Sequence, residues 1–182
     1  MPPLERVSPA PKLETSRLTL RGHRRSDFDA VAAMWGDLEV ARHISGKPST
    51  REESWARLLR YGGLWQFLGY GYWVVEEKAS GRFIGEVGIA NFQRETDPPI
   101  GDLPEAGWVM TPSAQGQGYA TEAVRAVLDW SDAQLRSAVV CILAPENPAS
   151  VRVAEKCGFA KVAEGTYKTW PTWFYRREPP AR

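Results

Sequence analysis

Trp108-Val109-Met110-Thr111-Pro112-Ser113-Ala114-Gln115-Gly116-Gln117-Gly118-Tyr119-Ala120-Thr121-Glu122-Ala123 reads as strand, turn and helix. The helical part continues to about residue 133, with Ala120, Ala123, Val124, Val127 and Leu128 at the spacing of one buried face. Gly116 and Gly118 admit backbone conformations closed to other residues and let a ligand come close to the main chain. The first amides of the helix have no partner inside it. Together these features make an anion site suited to a phosphate or pyrophosphate. Two other phosphate-binding patterns fail on the letters. A mononucleotide P-loop needs Gly-Lys-Ser/Thr at the helix start, where this chain has Gly118-Tyr119-Ala120. A dinucleotide fingerprint needs a third glycine where Thr121 stands.

Downstream, Val139–Leu143 is a continuous apolar strand of the kind covered on both faces. Asn147 caps the next helix, Pro148 takes its first position and Gly158 ends it. Residues 159–167 and 172–176 read as closing strands. Upstream, strands at 71–77 and 82–92 form a hairpin about Ala79-Ser80-Gly81, and residues 93–105 are a Pro/Gly/Asp-rich loop before a strand at 106–110. Leu18–Arg21 is a short strand. Ser26 is placed to cap a helix that carries Phe28, Val31, Ala32 and Trp35 and stops at Gly36. Thr50-x-x-Glu53 is a capping box for a second helix, with Trp55, Leu58 and Leu59 as its apolar face and Gly62-Gly63 as its end. The order β-α-α-β-β-β-α-β-α-β-β predicts an α/β (mixed α+β) fold on one mixed sheet. Residues 1–12 hold four prolines and read as an extended arm. Residues 178–182 read as a matching tail, which leaves 13–177 as a single domain.

At 182 residues the chain has the length of one ordinary domain and enough core to fold without disulfides. Its 43% apolar and 25% charged content are those of a soluble globular protein. A net charge of +1 gives no bias toward nucleic acid or an anionic membrane. Cys141 and Cys157 form no C-x-x-C pair, so a reducing, cytoplasmic setting is expected. No apolar signal core begins the chain, and no apolar run approaches the roughly 20 residues of a membrane span. No His/Cys/Asp spacing suggests a metal. His23 and His43 lack a Ser or Cys partner in a recognisable motif and read as surface or loop histidines. Cys141 sits in an apolar strand and reads as core, which disfavours an acyl-cysteine route.

Gln115-Gly116-Gln117-Gly118-Tyr119-Ala120 resembles the Gln/Arg-x-x-Gly-x-Gly/Ala signature of the GNAT N-acetyltransferase superfamily. Asn147-Pro148-Ala149-Ser150, followed by Lys156-Cys157-Gly158-Phe159, resembles the same family's Asn-x-x-Ser/Ala and Lys-x-Gly-Phe segment. Residues 13–21 and 81–88 resemble the branch of ribosomal-protein N-terminal acetyltransferases, the RimJ/RimL type. The resemblance covers about 13–176. It implies a central, splayed, mixed sheet of about six to seven strands with helices on both faces. It also implies acetyl-CoA as co-substrate and no metal. The pyrophosphate then belongs on the amides of Gln115, Gly116, Gln117, Gly118, Tyr119, Ala120 and Thr121, and pantetheine on the Val109 and Met110 backbone and on Asn147. By itself Asn147 is a helix cap, and the two roles are compatible.

The family often carries a tyrosine that protonates the departing thiolate, and Ala154 stands at that position. The RimJ/RimL branch implies that Ser150 assists the thiol instead; a first-turn helix hydroxyl is the other reading of Ser150. Aminolysis of a thioester needs a neutral amine. Glu105, at the head of the splayed strand, is the candidate base, against the reading of a solvated loop carboxylate. Trp170 and Trp173 flank Pro171 where the family lines its acceptor pocket; they are a cation-binding wall or simple packing. The expected activity is direct acetyl transfer from acetyl-CoA to a primary amine, with a monomer or homodimer as the assembly. The rivals are a non-catalytic acyl-CoA sensor and an enzyme for another donor such as succinyl-CoA. A protein N-terminus, an antibiotic, a polyamine or another small amine all remain open as acceptor.

Overall fold

The computed structural model describes residues 10–181. β3 (Tyr72–Glu77) and β4 (Phe83–Ala90) form the expected antiparallel hairpin. β4 is buried along almost its whole length because elements cover it on both faces. β2 (Leu18–Arg21) flanks β3 and buries Leu18 and Leu20 completely. On the other side β6 (Glu105–Met110) pairs antiparallel with β4 over six positions. β7 (Val139–Leu143), β9 (Trp170–Arg177) and β8 (Ala160–Tyr167) extend the sheet. Two-residue strands close its edges, β1 (Leu13–Glu14) beside β2 and β5 (Thr96–Asp97) beside β8. The order is β1-β2-β3-β4-β6-β7-β9-β8-β5. The strand count of nine among the described residues exceeds the expected six to seven by these two short pieces. One of them lies inside the 93–105 loop, and neither is long enough to show a period-2 pattern.

Alternation along β6 sends neighbours to opposite faces. Met110 packs in the large core cluster with Val124 and Leu128 of α4 (Tyr119–Gln134). Val109 packs with Val31 of α1 (Phe28–Trp35) and Leu58 of α3 (Arg51–Leu68). Helices therefore sit on both faces, as expected. A short α2 (Leu38–Ala41) follows α1, and α5 (Pro148–Lys156) packs near α4 and β7.

Two helix boundaries differ from expectation. A 3-10 turn, Arg25–Asp27, precedes α1, and Asp27 rather than Ser26 takes the cap position. The Asp27 carboxylate accepts from the Arg24 N–H at 2.6 Å and pairs with Arg21, which fixes the turn there. α3 runs through Gly62-Gly63 to Leu68 and ends at Gly69, whose φ of 72° is the left-handed stop. Each mid-helix glycine costs about 1 kcal/mol. Continuing the helix nevertheless buries Leu64 beside Tyr61, whereas Leu59 faces solvent. The Thr50–Glu53 capping box forms as read, with Thr50 Oγ1 accepting from Glu53 N at 3.1 Å.

The last residues of the expected N-terminal arm, from Ala10 on, are held against the domain. Ala10 is buried, and the Pro11 carbonyl accepts from Trp73 Nε1 at 2.7 Å. Residues 1–9 of that arm, and Arg182 of the tail, lie outside the described residues. Among the described residues no helix is long and apolar enough to cross a membrane.

Candidate active site

β6 and β7 are parallel, yet they share a single residue pair, Glu105 with Val140. Val140 N–H donates to Pro104 O at 2.9 Å, and beyond that rung the strands part. The antiparallel ladder on the far side of β6 tells which backbone groups face the gap. Thr111 N–H donates to Ile84 O at 2.9 Å, and hydrogen-bonded pairs alternate along such a ladder. Val109 is thus bonded to Glu86 of β4, while Trp108 and Met110 turn their amides and carbonyls to the gap. Of the two residues expected to offer backbone to pantetheine, Met110 is placed to do so. Val109 is not, and it reaches the cleft as one of the cavity-lining residues instead. Gln115 Nε2 bonds the Met110 carbonyl at 3.2 Å, tying the loop to the open strand.

The loop itself is built as an anion cradle. Gly118 precedes α4 with φ of 79°, and no side chain caps the helix. The first intrahelical bond is Glu122 N–H to Gly118 O, so the amides of Tyr119, Ala120 and Thr121 have no partner within the helix. Arg17 braces the loop from outside: its Nη1 donates to Gln117 O at 3.0 Å and its Nε to Glu122 Oε2 at 2.7 Å. A broad cleft borders Gly118 and Thr121, where Lys12, Arg17, Arg125 and Lys156 alternate with Glu14, Glu122 and Asp129. Lys12 is paired with Glu14 and Arg17 with Glu122, so the attraction for an anion comes chiefly from the free amides at the helix N-terminus.

At the other end of the gap opens a cavity of about 980 Å³. Glu105, Val109, Asn147, Ser150 and Trp170 all line it, although they come from three separate elements and a helix cap. Glu105 is only 4% exposed, which removes the solvated-loop reading. Burial raises its pKa, and the Arg94 guanidinium, with Nε 2.7 Å from Oε2, opposes that rise without cancelling it. Asn147 Oδ1 accepts from Ser150 N–H at 3.1 Å, so the cap uses the oxygen and leaves the amide nitrogen for another partner. Ala154 is fully buried in the core and brings no acid to the site. Trp173 does not line the cavity. Strand alternation turns it to the opposite face from Thr172, where Lys161 Nζ lies 3.5 Å from its ring centroid. A Cβ on Gly46 would meet Trp170 at 3.4 Å, so the segment after α2 and the β8–β9 hairpin meet over the mouth.

His23 lies in the loop after β2, as one of the two readings has it, but its side chain is buried rather than at the surface. Its Nε2 lies 2.7 Å from Glu86 Oε1, and Trp35 Nε1 donates to Glu86 Oε2 at 2.8 Å, with Glu86 wholly buried. A carboxylate inside the apolar run of β4 was the visible signal for this cluster. Arg94 gave no such signal, since it lies in a loop without periodicity. His43 does reach the cavity wall. Among the described residues no group of three or more His, Cys, Asp or Glu side chains is placed to hold a metal ion.

Residues 17–160 match the model of the acetyltransferase (GNAT) domain family. The chain is 33% identical to the uncharacterized protein YkkB of Bacillus subtilis over 153 residues, covering 81% of this chain and 84% of that one. It is 32% identical to the uncharacterized N-acetyltransferase YnaD of the same organism, covering 90% of this chain and 94% of that one. Among solved structures, an acetyltransferase of Agrobacterium tumefaciens superposes with a TM-score of 0.81 at 28% identity, covering 93% of this chain and 95% of that one.

Proposed function

Since this chain belongs to the GNAT acetyltransferase family, we propose that it moves an acetyl group from acetyl-CoA directly to a primary amine, in the manner of the RimJ/RimL branch. The observation that carries the reading is the gap between β6 and β7, which runs from an amide cradle at one end to a cavity with a buried carboxylate at the other. The pyrophosphate sits on the amides of the loop 115–121. Pantetheine pairs with the Trp108 and Met110 backbone and with the Asn147 amide. An N–H on the open side of β6 polarises the thioester carbonyl. Glu105, its pKa raised by burial, takes a proton from the incoming ammonium, and the free amine attacks the carbonyl carbon. The tetrahedral centre collapses as the C–S bond breaks, and the proton that the attacking nitrogen must lose passes by way of the Ser150 hydroxyl to the departing thiolate, giving the amide and free CoA thiol. Most of the rate gain comes from holding the two reactants in place.

Calorimetry with acetyl-CoA, with and without a chelator, followed by CoA thiol release across an amine panel, tests this. Binding unaffected by chelator and acceptor-dependent thiol release are expected. No binding at millimolar acetyl-CoA would end the assignment. Binding without release from any amine would favour an acyl-CoA sensor, which the alanine at 154 keeps in play.

A further inference from the structure

The cavity wall is strongly cationic. Arg42, Lys47, Arg57, Arg60, Arg94 and Lys168 line it, against only Glu105 and Glu146. Two of these cations already have partners: Arg94 holds Glu105, and Arg42 holds Glu39 at 3.4 Å. For Lys47, Arg57, Arg60 and Lys168 no carboxylate lies within ion-pair distance among the described residues. Arg57 is the telling one. Its guanidinium stacks 3.7 Å from the Trp35 ring centroid and donates to Ser49 Oγ at 3.3 Å, half-buried in the wall. Burial pushes its pKa down. Glu86 acts on it through space but makes no direct pair with it; the Glu86 oxygens bond His23 and Trp35. One turn away on α3, Arg60 lies 5.4 Å from the Phe92 ring centroid, also facing the cavity.

A partly desolvated cation that feels carboxylates only at a distance, with none paired directly to it, is favourably placed to receive an anionic visitor. The pyrophosphate of the donor is not that visitor, because none of residues 115–121 lines this cavity. Resting on the acetyl-transfer reading above, we propose that the acceptor is a small amine that also carries an oxyanion, a carboxylate or a phosphate, held by Arg57 and Arg60 while its amine meets Glu105. Guanidinium groups suit this task because their planar fork matches oxyanion geometry. A polycation is disfavoured, since it would meet four unpaired cations.

The test is CoA release with matched acceptors: 4-aminobutyrate against 4-aminobutanamide, phosphoethanolamine against ethanolamine, and spermidine. Wild type, Arg57→Gln, Arg60→Gln and Arg57→Lys are compared. Amine basicity cancels when each anionic-to-neutral ratio of kcat/KM is compared between wild type and variant. The wild type should favour the anionic member of at least one pair. That ratio should fall about 10- to 100-fold in Arg57→Gln, fall also in Arg60→Gln, and recover in part in Arg57→Lys. The pair that responds tells carboxylate from phosphate. Preference for spermidine or the neutral amines, or a ratio unchanged in both glutamine variants, overturns the inference while acetyl transfer stands. No release with any acceptor overturns both.

Discussion

At the scale of single residues, the case for Glu105 rests on burial next to one guanidinium and on its place at the only rung joining β6 to β7. Replacing it by glutamine keeps the size and removes the basicity. Turnover in Glu105→Gln should fall by about 100- to 10,000-fold with little change in acetyl-CoA affinity. The carboxylate is raised above its ordinary value, so the wild-type rate should climb with pH through that raised pKa and then level, whereas the variant lacks this limb. Profiles that overlay within about twofold would assign the base elsewhere. Gly118→Val should abolish acetyl-CoA binding. The backbone there has φ of 79°, which a β-branched residue resists, and an added side chain would also approach Arg17 Nη2. Native circular dichroism with unchanged affinity in calorimetry would take the loop out of the site. The sequence showed these residues because each belongs to a local pattern of turn, cap or strand head. It concealed Arg57, Arg60 and Arg94, whose meaning comes only from what faces them across the cavity.

At the scale of elements, α3 illustrates how a local signal can be outweighed. Two adjacent glycines suggest a stop, but the helix continues because the next turn brings Leu64 to the core. Its start was legible, since a capping box involves only four consecutive residues. Thr50→Ala should therefore destabilise the protein by about 1 kcal/mol, read as a lower urea midpoint with an unchanged slope. A second tie joins elements far apart in sequence. Glu122 in the first turn of α4 accepts from Thr15 Oγ1 at 2.5 Å and from Arg17 N at 3.0 Å, beside β1 and β2. Partial burial works to raise its pKa, but these hydrogen bonds hold it at about 2, below the ordinary 4.5. A carboxylate depressed in the folded state lends stability that is present above 4.5 and lost as pH falls toward 2. Glu122→Gln should be less stable than wild type at neutral pH, and that difference should shrink across this acid window in urea titrations. A difference independent of pH would mean that packing, not charge, makes the tie.

For the whole molecule, the class of fold was readable from the alternation of strand and helix patterns and from two family-like blocks, one before α4 and one through α5. The sheet order was not, since a crossover such as β7 to β9 is fixed by which faces remain to be covered. The one-pair contact of β6 with β7 has a mechanical consequence. It leaves an edge in the middle of the sheet, where the backbone of Trp108 and Met110 has no neighbouring strand to saturate it. The two flanks, one ending at β6 and the other starting at β7, are joined in the sheet only at the Glu105–Val140 rung and otherwise through the shared core beneath α4. A bound extended ligand acts as a surrogate strand that zips this edge shut. Amide hydrogen exchange at Trp108 and Met110 should accordingly slow on saturation with acetyl-CoA, while Val109, already laddered to β4, should respond less.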